Sequence, residues 1–362
     1  MKKKTIGILI SLHFLFTALW AQENPLWLRY PAISPDGSKI VFSYQGDIYQ
    51  VPAQGGTAIP LTLHQGHDFR PVWSNDGSKV AFASRRYGNY DIFIVPAGGG
   101  AAQQLTFHSA SDYPTAFTSD DQQVLFASSR LDAATNRQYP SGILSELYQV
   151  PATGGRTVQV LTTPAKRARY AAADSLLVYH DQKGYEDEFR KHHTSSVTRD
   201  IWAYRPADSS FRKLTAFKGE DRNPVFSPDE KSIFYLSEQE GDFNIFKLAL
   251  ARPETITPIT SFEDHPVRHL SISDNGTLCF SWNGELYTLT EGQTPQKVDI
   301  TIRSGQRYNT TEILQAQQAD EMAVSPDGKA VAYIYRGEVF VSAVEGGFTR
   351  RVTNTPGQER SV

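Results

Sequence analysis

Ser34-Pro35-Asp36-Gly37-Ser38-Lys39-Ile40-Val41-Phe42 joins a tight turn to a strand. Pro35 pre-sets φ at the first central turn position, Asp36 can accept hydrogen bonds from nearby backbone, and Gly37 takes the positive φ that returns the chain on itself. Lys39 to Ser43 is rich in β-branched and aromatic residues, and Asp47-Ile48-Tyr49-Gln50-Val51 alternates as a half-buried strand does. Pro52 and Gly55-Gly56 interrupt the pattern before Leu61-Thr62, so the unit holds roughly four short strands.

Copies of this unit fill the chain. The second runs from Pro71-Val72-Trp73-Ser74-Asn75-Asp76-Gly77 through Asp91-Ile92-Phe93-Ile94-Val95 to Gln104-Leu105-Thr106. The third has Ser119-Asp120-Asp121, Val124-Leu125-Phe126, Glu146 to Pro151 and Leu161-Thr162, with an insertion between its second and third strands. A fourth, degenerate copy keeps Leu176 to Tyr179, Asp200 to Tyr204 and Leu214-Thr215 but lacks the proline-glycine turn. The fifth begins at Pro224-Val225-Phe226-Ser227-Pro228-Asp229, the sixth at Ser271-Ile272-Ser273-Asp274-Asn275-Gly276, and a seventh at Ala323-Val324-Ser325-Pro326-Asp327-Gly328. Four strands recurring every roughly 40 to 55 residues predict an all-β fold, a β-propeller whose blades stack around an axis because none can bury its faces alone.

The first residues read as an address. Lys2-Lys3-Lys4, the apolar run Ile6 to Trp20 and the small residue Ala21 form a secretory signal peptide over 1–21, too short for a membrane span. No cysteine follows the run, so a lipoprotein anchor is not expected, and the mature chain is placed outside the cytoplasm, periplasmic or secreted, without stable membrane insertion. Cys279 is the single cysteine and cannot form an intrachain bridge; its strand setting reads as a small buried hydrophobe. A net charge of −3 with interspersed signs gives no footprint for nucleic acid.

The lead-in to each first strand carries a charged or polar residue before an aromatic, arginine or proline: His67-Asp68-Phe69-Arg70-Pro71, Ser111-Asp112-Tyr113-Pro114, Glu220-Asp221-Arg222-Asn223-Pro224 and Asp264-His265-Pro266. First strands are innermost in a propeller, so Asp68, Arg70, Asp112, Asp221, Arg222 and His265 are candidate peptide contacts at one mouth of the central channel. The alternative use of the aspartates is to cap turns and satisfy neighbouring backbone.

A second distinctive segment, Lys183 to Trp202, contains Arg190-Lys191-His192-His193-Thr194-Ser195-Ser196-Val197-Thr198-Arg199-Asp200-Ile201-Trp202. This run, with the repeats and the order of the blades, resembles the amino-terminal part of exported tricorn-type serine proteases. The Ser-Pro-Asp-Gly repeat alone is shared with TolB-like and prolyl-oligopeptidase-type propellers. The resemblance implies a six-bladed propeller over 24–302 with a closing strand at Lys297 to Ile302, a linker over 303–320, and the first blade of a second propeller over 321–362. It further implies that the catalytic residues belong to carboxy-terminal protease domains, with peptides as partners and a homo-oligomer as a possible assembly. A stand-alone TolB-like binding propeller and the propeller of a prolyl-oligopeptidase-like enzyme are the alternatives.

Catalysis within this chain is not expected. His192 or His193 beside Ser195 or Ser196 offers sequence adjacency but neither an orienting group nor oxyanion donors, and neighbours in an extended segment point to opposite faces. Packing and hydrogen bonding between blades is the reading given to that run. His265 and His269, spaced for a helix, fall at a strand start, and His64 and His67 lack a ligand set, so no metal is expected; nor is a cofactor.

Overall fold

The computed structural model describes residues 25–130, 144–185, 187–190, 194–302, 318–355 and 357–362. The signal-peptide reading of 1–21, His192 and His193, and linker residues 303–317 lie outside the described residues. Among those described, the strands form seven sheets, six of four strands and one of five. The fold is an all-β propeller.

Blade 1 is built from Arg29–Ile33, Lys39–Tyr44, Asp47–Pro52 and Gly56–Pro60. Its turn closes as the residues dictate. The Ser34 hydroxyl donates to Asp36 Oδ1 at 2.5 Å, the Ser38 N–H donates to the same oxygen at 3.0 Å, and the Gly37 N–H donates to the Ser34 carbonyl at 2.9 Å. These donors hold the Asp36 carboxyl at about 2, the Ser34 hydroxyl contributing most. Ser74 with Asp76, Thr118 with Asp120, Ser227 with Asp229, Ser273 with Asn275 and Ser325 with Asp327 repeat the arrangement.

The first strands, Arg29–Ile33, Asp68–Trp73, Asp112–Phe117, Ala165–Tyr170, Asp221–Phe226 and Arg268–Ile272, each pack on the next, and the sixth packs on the first. A closed six-bladed ring results. Because side chains alternate across a strand, each blade feeds both neighbours. Val41 and Ile48 join Val80, Phe82 and Phe93 in the core between blades 1 and 2, while Ile40 and Phe42 join Cys279 and Leu286 between blades 1 and 6. Asp47 to Val51 is therefore buried on both faces and not half-buried as its alternation suggests. Cys279 is fully buried.

In blades 1, 2 and 4 the Leu-Thr pairs fall just past the fourth strand, and Ile259-Thr260 takes the same place in blade 5. There they perform a capping role that the repeat pattern alone does not reveal. The N–H of Ile48 donates to Thr62 Oγ1 at 3.0 Å, that of Ile92 to Thr106 at 2.9 Å, that of Ile201 to Thr215 at 3.0 Å and that of Ile245 to Thr260 at 2.9 Å. Each threonine thus satisfies the third strand where the fourth strand has ended.

The ring closes through Ile300–Ile302, which adds to blade 1 as a fifth strand, parallel to Gly56–Pro60. The Gly56 N–H donates to the Asp299 carbonyl at 2.8 Å. Gly55, with φ +94°, allows the approach: a Cβ there would lie 2.6 Å from the Asp299 oxygen. A further sheet, Glu321–Val324, Ala330–Tyr335, Glu338–Ala343 and Arg350–Arg351, repeats the blade pattern but leaves Met322, Val324 and Phe348 exposed.

Candidate functional site: the axial mouth

All six first strands carry an irregular register near their starts. In five of them the third lead-in residue takes a positive φ: Tyr30 (52°), Arg70 (55°), Arg167 (52°), Asn223 (56°) and His269 (60°). Blade 3 has Pro114 there, whose ring forbids that conformation. A left-handed non-glycine residue costs roughly 1–2 kcal/mol, so five of them at one level of the ring mark a place where the fold overrides local preference. The bulges turn consecutive side chains inward and give the mouth its cationic lining.

Arg70 and Arg167 reach one carboxylate from different blades: Arg70 Nη2 lies 2.7 Å from Glu188 Oε2, and Arg167 Nη2 lies 3.2 Å from Oε1. Glu188 belongs to the insertion of blade 4, which folds back over the axis. Arg222 Nη1 donates to the Glu188 carbonyl at 2.9 Å, and Arg268 donates to the carbonyls of Glu188 at 2.5 Å and Phe189 at 2.8 Å. The Phe189 ring lies under the Arg29 guanidinium at 4.6 Å, and Arg360, beyond the seventh sheet, approaches it at 5.8 Å. Arg190 then leaves the axis to donate to Glu220 Oε2 at 2.6 Å and Glu238 Oε1 at 3.0 Å, and Arg199 pairs with the same buried Glu220. The chain thus holds a short stretch of its own backbone in the mouth.

The electrostatics follow from this crowding. Burial raises the Glu188 carboxyl, but Arg70 and Arg167 outweigh it and hold the group well below its ordinary range. Lys166, next to Arg167 on the same strand, goes the other way: burial, then Arg70 and Arg199, push its ammonium down to about 7. Burial keeps His180 and His269 neutral, well below their usual value; His180 Nδ1 accepts the N–H of Asn223 at 3.1 Å.

The six residues singled out from the sequence do not share one surface. Arg70 and Arg222 converge on the insertion. Asp68 and Asp112 are enclosed between strands, where Asp68 Oδ2 lies 2.8 Å from Arg86 Nη2 and Asp112 pairs with Arg130. Asp221 is as deeply buried with no such arginine, and burial pushes its carboxyl up to about 7. All three aspartates are enclosed rather than exposed at the channel mouth. His265 is exposed on the rim, where its carbonyl accepts the Trp282 Nε1–H at 2.8 Å. Sequence reading missed Arg29, Lys166, Arg167, Glu188 and Arg268. Counting inward from each bulge position would have found the cations, because Ala165-Lys166-Arg167 stands in blade 4 where Asp68-Phe69-Arg70 stands in blade 2.

Among the described residues no group of three or more His, Cys, Asp or Glu side chains is arranged to hold a metal ion. Ser195 and Thr198 close a local turn, with Thr198 Oγ1 donating to the Ser195 carbonyl at 2.9 Å.

Residues 25–295 match the family model for the tricorn protease N-terminal β-propeller domain. The chain is 26% identical over 344 residues to tricorn protease homolog 1 of Streptomyces coelicolor, covering 92% of this chain and 30% of that protein. It is 22% identical over 199 residues to the tricorn protease homolog of Saccharolobus solfataricus, covering 54% of this chain and 18% of the other. The crystal structure of the tricorn protease superposes with a TM-score of 0.65 at 20% identity, over 91% of this chain and 31% of that one. The chain therefore spans less than a third of the length of these relatives. By its sequence and its six-bladed ring, it belongs to the family of tricorn protease N-terminal β-propeller domains.

Proposed function

We propose that this propeller is the non-catalytic access module of an exported tricorn-type serine peptidase, guiding or gating peptides to or from the protease core of the parent protein. The observation that carries the reading is the axial mouth, where arginines from several blades grip the carbonyls and carboxylate of the chain's own Glu188-Phe189 segment. Groups that hold one extended backbone there have the chemistry to hold another. The basic start, apolar run and small residue of 1–21 support export.

The test compares two substrates of the full-length protein: unstructured peptides, and a small chromogenic substrate that has no need of the axial route. In the double variant Arg70→Ala, Arg222→Ala, the turnover of long peptides changes several-fold while that of the small substrate holds. Phe189→Ala, which keeps every ion pair, shifts the same ratio. Unaltered long-peptide turnover in both variants removes the gating role.

A further inference from the structure

The first strands of all six blades enclose an axial cavity of about 30 Å³, to which Ala32, Val72, Thr115, Arg169, Asn223 and His269 contribute one side chain per blade. That is more than the roughly 10–15 Å³ one water needs and far less than the roughly 300 Å³ at which small-ligand sites begin. No aspartate or glutamate lines it. Two guanidiniums do. Arg167 is committed to Glu188, whereas Arg169 has no ion pair or hydrogen bond with any described residue. Burial, then the charge of Arg167, push its guanidinium down to about 10.

The place of Arg169 in the repeat makes its charge conspicuous. It stands opposite Val178 in register as Val72 stands opposite Ala81 and Val225 opposite Phe234, so blade 4 puts a guanidinium where blades 2 and 5 put an apolar side chain. On the far side of the cavity His269 is buried, held neutral by that burial, and its Nδ1 has no hydrogen-bond partner. A cation held out of bulk water without a counter-ion is unfavourable. We propose that the axial cavity seats a single halide ion, chloride in physiological salt, with Arg169 as its counter-ion and the His269 ring and the Asn223 side-chain amide as its polar walls.

Size and chemistry select this class of ligand. A water molecule fits but leaves the charge of Arg169 uncompensated. Phosphate, sulfate and a peptide carboxylate exceed the space. The remaining walls, among them Ala32, Val72 and Leu270, offer no hydrogen bonds from their side chains, which favours a weakly hydrated anion over fluoride. An ion touching every first strand ties the blades together at the axis, so its binding adds to the cohesion of the ring by mass action. The proposal goes beyond the access-module reading and does not depend on it, because such an ion serves the packing of the ring whether or not peptides use the mouth.

Two measurements on the full-length protein test it. Crystals grown in sodium bromide should show an anomalous peak on the axis within contact of the Arg169 guanidinium. In solution, replacing gluconate by chloride at constant ionic strength should slow hydrogen exchange in the first strands of blades 4 to 6 about threefold or more, with the outer strands of blades 2 and 3 unaffected. Arg169→Leu, which restores the apolar residue type of the other blades, loses both the peak and the chloride effect, while Arg169→Lys keeps both. Sulfate slowing exchange as well as chloride reports a general salt effect and overturns the halide site. A water on the axis in place of bromide, with exchange indifferent to the anion, overturns it as well. A bromide peak without any effect on exchange marks an adventitious ion only, and a peak that survives Arg169→Leu removes Arg169 as the counter-ion; either result sinks the proposal.

Discussion

Asp221 shows how one residue differs among otherwise equivalent blades. Asp68, Asp112 and Asp221 lie opposite Ser84, Ser128 and Ser237 in register. Two residues past the serine, blades 2 and 3 place Arg86 and Arg130, which pair with their aspartates, whereas blade 5 places Gln239. Burial raises the Asp112 carboxyl even against Arg130, and at Asp221, where no guanidinium opposes it, burial pushes the carboxyl up to about 7. An ordinary aspartate titrates near 4, so the unfolded chain releases its proton first and stability falls as pH rises from about 4 to 7. Asp221→Asn removes this dependence. Its unfolding midpoint in urea should match the parent at pH 4 and exceed it at pH 8, by an amount on the order of 1.4 kcal/mol for each unit between the two pKa values.

At the scale of the strand, the Leu-Thr step and the closing strand each permit a sharp test. Thr62→Val keeps the shape of the side chain but leaves the buried Ile48 N–H without its acceptor, so a loss of about 1–3 kcal/mol is expected by chemical denaturation. Thr62→Ser retains the oxygen and should recover most of it. Gly55→Ala places a methyl against the Asp299 carbonyl at a φ that alanine resists. Hydrogen exchange at Gly56 should then accelerate markedly more than exchange in blades 3 and 4.

These elements also show which features the sequence reveals. Each turn rests on contacts between neighbours a few residues apart, so Ser34, Asp36 and Gly37 announce it directly. The double burial of Asp47 to Val51 depends on two other blades, so its alternation suggests an exposed face that does not exist. The axial mouth is harder still. Its cations are set by bulge phase, and Lys166 and Arg167 stand in the blade lacking both the proline-glycine turn and the aspartate that draws attention to Arg70. Glu188, the carboxylate that gathers the arginines, comes from an insertion with no repeat to align it.

Over the whole molecule, the ring divides its labour between perimeter and axis. Apolar clusters between successive blades carry the cohesion, while charge is concentrated at the mouth, where strained backbone and guanidiniums meet one inserted segment. The closing strand has a consequence of a different kind. Blade 1 is the first to emerge during synthesis, yet its outer edge is completed by Ile300–Ile302, the last strand of the ring to be made. Local hairpins need only short-range contacts, whereas joining Gly56 to Ile300 encloses nearly the whole ring in one loop. During translation the nascent chain can form blade after blade as an open arc but cannot become a circle. Closure is the late event in its biogenesis, and until Ile300–Ile302 has been made the six blades remain an unlatched ribbon.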